Sequence, residues 1–155
     1  MREYLKFYIN GEWVDPTFLN KFDVINPASE EVCAQIALGD ETDVDKAVKA
    51  ARIAFQAFGS SDRKTRVELL SEIIAVYQRR QNDLADAISE EMGAPSKLAI
   101  QAQASACLGH LAQALEVLKN FEFEEGREPH RVFKEPIGVC GMITPWNWPL
   151  NQIAC

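Results

Sequence analysis

One apolar run, ending in a proline-flanked turn, limits what this chain can build. Ile137 to Ile143 is apolar apart from two glycines, the composition of a strand buried on both faces, where neighbouring backbones come close. Thr144-Pro145 then removes a ladder donor and fixes φ, so the strand stops. Pro149 suits the first turn of a helix starting near Trp148. Asn147 is thereby expected at a strand-to-helix elbow of an α/β protein, the place where open α/β sheets bind ligands beside helix N-termini. Two readings of Asn147 stand side by side. Its neutral carboxamide can donate to a developing oxyanion, or it is an ordinary cap or turn residue.

At 155 residues, 47% hydrophobic and 25% charged, the chain is long enough for one domain with a core. A formal charge of −7 argues against a nucleic-acid surface or an anionic membrane, both of which select for clustered Lys and Arg. No segment reaches the ~18 apolar residues of a membrane span, and Met1 to Asn10 lacks the apolar core of a signal peptide. A cytoplasmic location is expected. Cys33, Cys107, Cys140 and Cys155 show neither CxxC spacing nor a His at metal-ligand distance, so no metal site is expected and the thiols are read as reduced and mostly buried.

In chain order, Tyr4 to Ile9 and Trp13-Val14 flank Asn10-Gly11, a tight-hairpin signal and a predicted edge ribbon. Phe22 to Ile25 and Val32 to Ile36 flank Asn26-Pro27-Ala28-Ser29 and predict a second hairpin. A helix is expected from Thr42, with Asp45 completing a capping-box-like start, an apolar stripe through Val44, Val48, Ala51 and Phe55, and a stop at Gly59. A second starts at Ser61 or Asp62, turns Val67, Leu70, Ile74, Tyr77, Leu84 and Ile88 inward and stops by Gly93. Its basic cluster, Arg63, Lys64, Arg66 and Arg79-Arg80, reads as a solvated face paired with Glu68, Glu72 and Asp83 rather than as a phosphate site. A third helix runs from about Ser96 to Asn120; His110 on it is read as structural, with nothing nearby in sequence as a partner. Phe121 to Gly126 closes the helical section, and Arg131 to Glu135 alternates like a strand.

The string Glu135-Pro136-Ile137-Gly138-Val139-Cys140-Gly141-Met142-Ile143-Thr144-Pro145-Trp146-Asn147-Trp148-Pro149-Leu150 resembles the EPxGVxGxITPWNxP signature of the NAD(P)-dependent aldehyde dehydrogenase superfamily. The resemblance extends in order to Tyr8 to Val14, Val24 to Ala28 and Glu91 to Pro95, and so covers nearly the whole chain. It implies an aldehyde-dehydrogenase-like N-terminal part: hairpins, three helices and the first strand of a Rossmann-like parallel sheet. Residues 1–155 would be the N-terminal part of the cofactor-binding domain, with segments at about 4–14 and 127–136 contributing to an oligomerisation sheet and the catalytic domain absent. It also implies Asn147 in the oxyanion hole, Ile143, Thr144, Pro145 and Trp146 lining the cofactor cleft, NAD or NADP as cofactor, a small-molecule aldehyde as substrate, and a homo-oligomer, dimer or tetramer. Ile25 and Glu91 match positions where some members hold a monovalent cation; Glu91 is read here as a helix-end carboxylate. Gly93-Ala94-Pro95 stands where many members have Gly-Lys-Pro.

The helix after Pro149 is barely one turn old at Cys155, and a parallel βαβ unit needs a longer crossover and a returning strand. The chain is therefore expected to be an N-terminal fragment of a longer enzyme, inactive alone. The nucleophilic cysteine, the general-base glutamate and the ribose-binding lysine of the resembled family would lie beyond residue 155, and Cys140 and Cys155 sit in the wrong motif for the nucleophile. The alternative is a non-catalytic scaffold or interaction module related to that family, pairing through its edge strands.

Overall fold

Short-range turn chemistry organises the N-terminal third. In the computed structural model, which describes residues 1–155, Asn10 (φ 55°) and Gly11 (φ 82°) both adopt left-handed backbone, the pair of conformations that matches a two-residue turn to strand twist. They join β2 (Phe7–Ile9) to β3 (Glu12–Val14) in antiparallel register, with Ile9 opposite Glu12. The expected strand from Tyr4 to Ile9 is in fact divided. β1 (Arg2–Tyr4) leaves the ribbon to pair in parallel with β5 (Val32–Leu38), which also pairs antiparallel with β4 (Asn20–Ile25) in the order β1-β5-β4. The β4–β5 turn is closed by the Asn26 carboxamide oxygen, which accepts the Ala28 N–H at 2.8 Å, an Asx-turn.

α1 (Glu41–Phe58) starts one residue before Thr42. Its capping box is Asp40 with Asp43: the Asp40 carboxylate accepts the Asp43 N–H and the Asp43 carboxylate accepts the Asp40 N–H. Asp43 wins over Asp45 because it is also buried, taking the Thr17 N–H at 3.0 Å and the Thr17 hydroxyl at 2.6 Å. α2 (Arg63–Met92) is capped by Asp62, which accepts the Thr65 N–H at 2.8 Å, and ends at Gly93 in left-handed backbone. Arg66 lies over the Phe58 and Phe123 rings and donates to the Gly59 carbonyl, while Lys64 and Arg80 pair with Glu68 and Asp83. Arg63 pairs with Glu122, so four of the five basic side chains make protein contacts, while Arg79 and the expected partner Glu72 form no ion pair.

The third helix is continuous from Ser96 to Asn120 but is not uniform. α3 (Ser96–Leu98) runs into a π-helical stretch, Ala99–Ala104, and then α4 (Ser105–Asn120). The wider turn redirects carbonyls out of the helical ladder, and side chains take them: the Ser105 hydroxyl donates to Ile100 O and the Tyr77 hydroxyl donates to Ala104 O, each at 2.8 Å. Small residues make this packing possible. The core where α2 meets the π stretch is Ala85, Ile88, Ala94, Ala99 and Ala104, with Met92, Ile100 and Leu150 against it; alanines let helices approach closely, and Ile88 alone contributes about 2–3 kcal/mol of burial.

β6 (Glu124–Arg127) and β7 (His130–Phe133) form an antiparallel hairpin. Glu124–Arg127, expected only to close the helical section, is therefore a strand, because Arg131 and Val132 give it a pairing partner. Beyond β7 no regular structure forms until α5 (Pro149–Ala154). The stretch from Ile137 to Ile143 makes no ladder, and Ile137 and Ile143 are 95% and 99% exposed. A parallel strand takes every backbone hydrogen bond from its neighbours, and the neighbours are not among these residues. The solvent-accessible surface is 11379 Å², against roughly 7,900 Å² for a self-contained monomer of this mass.

Candidate functional site

The elbow takes its shape from its prolines. Pro149 occupies the first turn of α5, whose N-cap is Trp148, and no side chain caps that helix. Asn147 lies one residue before the cap, exposed, and its carboxamide makes no hydrogen bond within the chain. Asn147 is therefore not the N-cap of α5 but stands in the bend before it, and its side chain is left with donors to offer. No backbone group from Glu135 to Trp146 enters a backbone–backbone hydrogen bond, so residues 143–146 present free N–H and C=O groups beside the open Trp146 indole.

Three contacts from outside hold the elbow in place. Gln103, in the π stretch, is 2% exposed and its Nε2 donates to the Asn147 carbonyl across 3.4 Å. Leu150 packs on the alanine-rich core. The His110 ring shares a 2.8 Å hydrogen bond from Nε2 with Asn151 Oδ1, tying α4 to α5. His110 thus has the partner that sequence proximity did not supply, and its role is structural. Tyr77 anchors the π stretch from α2; burial above all pushes its phenol well above the ordinary range, with the adjoining Cys107 thiol adding to the rise.

The four cysteines are free, and only Cys107 is buried; Cys33 is half-buried, and Cys140 and Cys155 are exposed, which corrects the expectation of mostly buried thiols. Burial pushes the Cys107 thiol up, against the opposing Tyr77 hydrogen bond. The Cys140 thiol reaches only the Gly138 carbonyl, at 3.9 Å, and the Cys155 thiol reaches no hydrogen-bond partner, so neither thiol is paired with a base. No group of three or more His, Cys, Asp or Glu side chains is arranged to hold a metal ion, and no helix is long and apolar enough to cross a membrane. Sequence reasoning singled out Asn147 and residues 143–146 as candidates and did not single out Gln103, which the structure places against the elbow. The available signal was a polar residue on the line Ala99, Gln103, Cys107, which is otherwise apolar.

Residues 13–155 match the aldehyde dehydrogenase family. The chain is 48% identical over 155 residues to a 3-succinoylsemialdehyde-pyridine dehydrogenase of a Pseudomonas species, covering 99% of this chain and 32% of that protein. It is 48% identical to a putative aldehyde dehydrogenase of Staphylococcus epidermidis, with 98% and 32% covered. Among solved structures, an aldehyde dehydrogenase from Bartonella henselae superposes with a TM-score of 0.96 at 40% identity over 99% of this chain and 33% of that one. A mutant aldehyde dehydrogenase C from Pseudomonas syringae, complexed with NAD+ and octanal, gives 0.94 at 41% identity over 96% and 31%. The chain spans about a third of the length of the curated relatives it matches.

Proposed function

Because the chain belongs to the aldehyde dehydrogenase family, we propose that a protein carrying it oxidises an aldehyde to a carboxylate with NAD or NADP, with Asn147 as an oxyanion donor. The observation that carries this reading is the unbonded Asn147 carboxamide, exposed at an elbow whose main chain is held from behind by buried Gln103. In such a reaction a cysteine thiolate adds to the aldehyde carbon and the carbonyl oxygen becomes an oxyanion. An amide N–H of Asn147 donates to that oxygen and is worth a few kcal/mol there, because its dipole is already aimed when charge develops. Loss of hydride from the thiohemiacetal carbon leaves a thioester, and water activated by a carboxylate releases the acid and returns the thiolate. The nucleophile and base are assigned to residues outside this chain.

Residues 143–146 fit a dinucleotide: Ile143 and Trp146 offer exposed apolar faces, and the backbone between them has unpaired donors and acceptors. Ile143, Thr144, Pro145 and Trp146 would line that group, which when bound supplies the hydride acceptor. NAD+ in the complexes of the Pseudomonas syringae and Mycobacterium tuberculosis relatives supports this cofactor class. The test is the aldehyde-dependent rise of NADH absorbance with octanal as probe. In the complete protein Asn147→Ala is expected to lower kcat about a hundredfold or more. Full kcat in that variant overturns the oxyanion role, and turnover by residues 1–155 alone overturns the assignment of nucleophile and base elsewhere.

The domain assignment follows the same reading: 1–155 as part of a cofactor-binding domain, with the ribbon at about 4–14 and the strand at about 127–136 in an oligomerisation sheet. The β6–β7 hairpin is exposed along its whole length and belongs to a two-stranded sheet, so both its edges are open, and open edges recruit further strands. Native mass of the complete protein, with and without Val132→Lys, tests this; an unchanged assembly would remove the hairpin from the interface.

A further inference from the structure

We propose that Gln103 is a positioning residue for the reaction, setting the aim of Asn147 through its main-chain carbonyl; the inference rests on the oxyanion reading of Asn147. Gln103 is 2% exposed, yet its carboxamide is poorly served there. Its Nε2 has one long bond, 3.4 Å to Asn147 O, and a 3.8 Å contact with Met92 Sδ, while its Oε1 is buried with no partner. A buried acceptor left without a donor costs stability, and an apolar side chain of the same shape would remove that cost. Packing therefore gives no reason for an amide at this position. The contact itself does: it is the one hydrogen bond from the rest of the chain onto the Asn147 peptide, and it crosses from helix to elbow.

The π stretch explains how Gln103 comes to face the elbow. An extra residue in the helical turn rotates the side chains that follow, and such turns recur at functional sites. Here the turn is pinned from α2, where the Tyr77 hydroxyl donates to Ala104 O, the carbonyl next to Gln103. Tyr77, the π stretch, Gln103 and Asn147 thus form one connected path from the middle of α2 to the proposed oxyanion donor. An oxyanion donor has to meet its target within a few tenths of an ångström, and misplacement by about 1 Å costs about a hundredfold in rate. A peptide free of backbone partners needs an external stop.

The experiment compares the complete protein with Gln103→Met, Asn147→Ala and the double variant, using octanal with NAD+ for turnover and p-nitrophenyl acetate as an acyl-transfer probe that needs no cofactor. Gln103→Met keeps length and removes both polar atoms. It is expected to melt at or above the parent temperature, to hold KM within about twofold, and to lose about tenfold or more of kcat on both probes. The double variant is expected to be no slower than Asn147→Ala, because Gln103 acts only through Asn147. If Asn147→Ala is slow while Gln103→Met keeps full kcat, the positioning role is wrong and the oxyanion reading survives. If Gln103→Met lowers kcat only together with the melting temperature, or adds its loss to that of Asn147→Ala, Gln103 is structural. If Asn147→Ala keeps full kcat, the oxyanion reading falls and takes this inference with it.

Discussion

Replacing Gly93 by alanine tests the joint between the helical core and the β4–β5 turn. Gly93 ends α2 at φ +77°, and a Cβ built there would lie 2.7 Å from Pro27 Cγ. Two costs add. Left-handed backbone costs a non-glycine residue about 1–2 kcal/mol, and forcing a methyl into occupied space costs about 1–3 kcal/mol. The ring cannot swing aside, because Pro27 lies inside the Asx-turn that Asn26 closes onto Ala28. The expected loss is about 2–5 kcal/mol, a drop of roughly 1–2.5 M in urea midpoint read by far-ultraviolet circular dichroism. Pro27→Ala deletes Cγ and Cδ and so separates the two costs. In a double-mutant cycle it should return about 1–3 kcal/mol of the Gly93→Ala loss. A coupling energy below about 0.5 kcal/mol would refute the reasoning, since the loss would then be backbone strain alone.

Other expectations follow from side chains that join distant segments. Hydrogen bonds from the Thr17 hydroxyl, chiefly, and from the Thr17 and Asp40 N–H groups hold the Asp43 carboxyl below its ordinary value of 3.8, against the opposing effect of burial. With the folded value depressed, Asp43 stabilises the protein above 3.8 and loses that contribution as pH falls through the lower folded value; urea midpoints should show the loss in the parent and a flatter acid limb in Asp43→Asn. Tyr77→Phe should cost about 1–2 kcal/mol by stranding the Ala104 carbonyl that the π stretch exposes, and a melt within error of the parent would contradict that role. Timed iodoacetamide labelling read by mass spectrometry should modify exposed Cys140 and Cys155 first and Cys107 last, since Cys107 is buried and its thiol is pushed up; early labelling of Cys107 would show that the Tyr77 contact opens readily.

Much of the candidate site could be read in the residues themselves. Pro145 and Pro149 act within their own turns, so the elbow and the start of α5 at Pro149 were visible without any tertiary information. Asn147 was visible as a choice between a cap or turn residue and an oxyanion donor; the structure puts Trp148 at the N-cap and Asn147 in the bend before it. Gln103 lies 44 residues from Asn147, and no pattern in an alanine-rich helix announces a π turn. The strand reading of Ile137 to Ile143 used the right composition, but its ladder needs neighbours that these residues do not include.

By itself, the sequence determined what is settled within about four residues: the Asn10-Gly11 turn, the Asp62 cap, the Gly93 stop, the proline elbow, and through the Glu135 to Leu150 string the family. These features are fixed by φ preferences and by side chains that bond their own backbone. Only the tertiary structure decided that β1 leaves the ribbon for β5, that Asp43 rather than Asp45 closes the box on α1, and that a buried glutamine meets the elbow. Each of those outcomes turns on which polar group remains unpaired once distant segments have packed, and that is a property of the assembled chain.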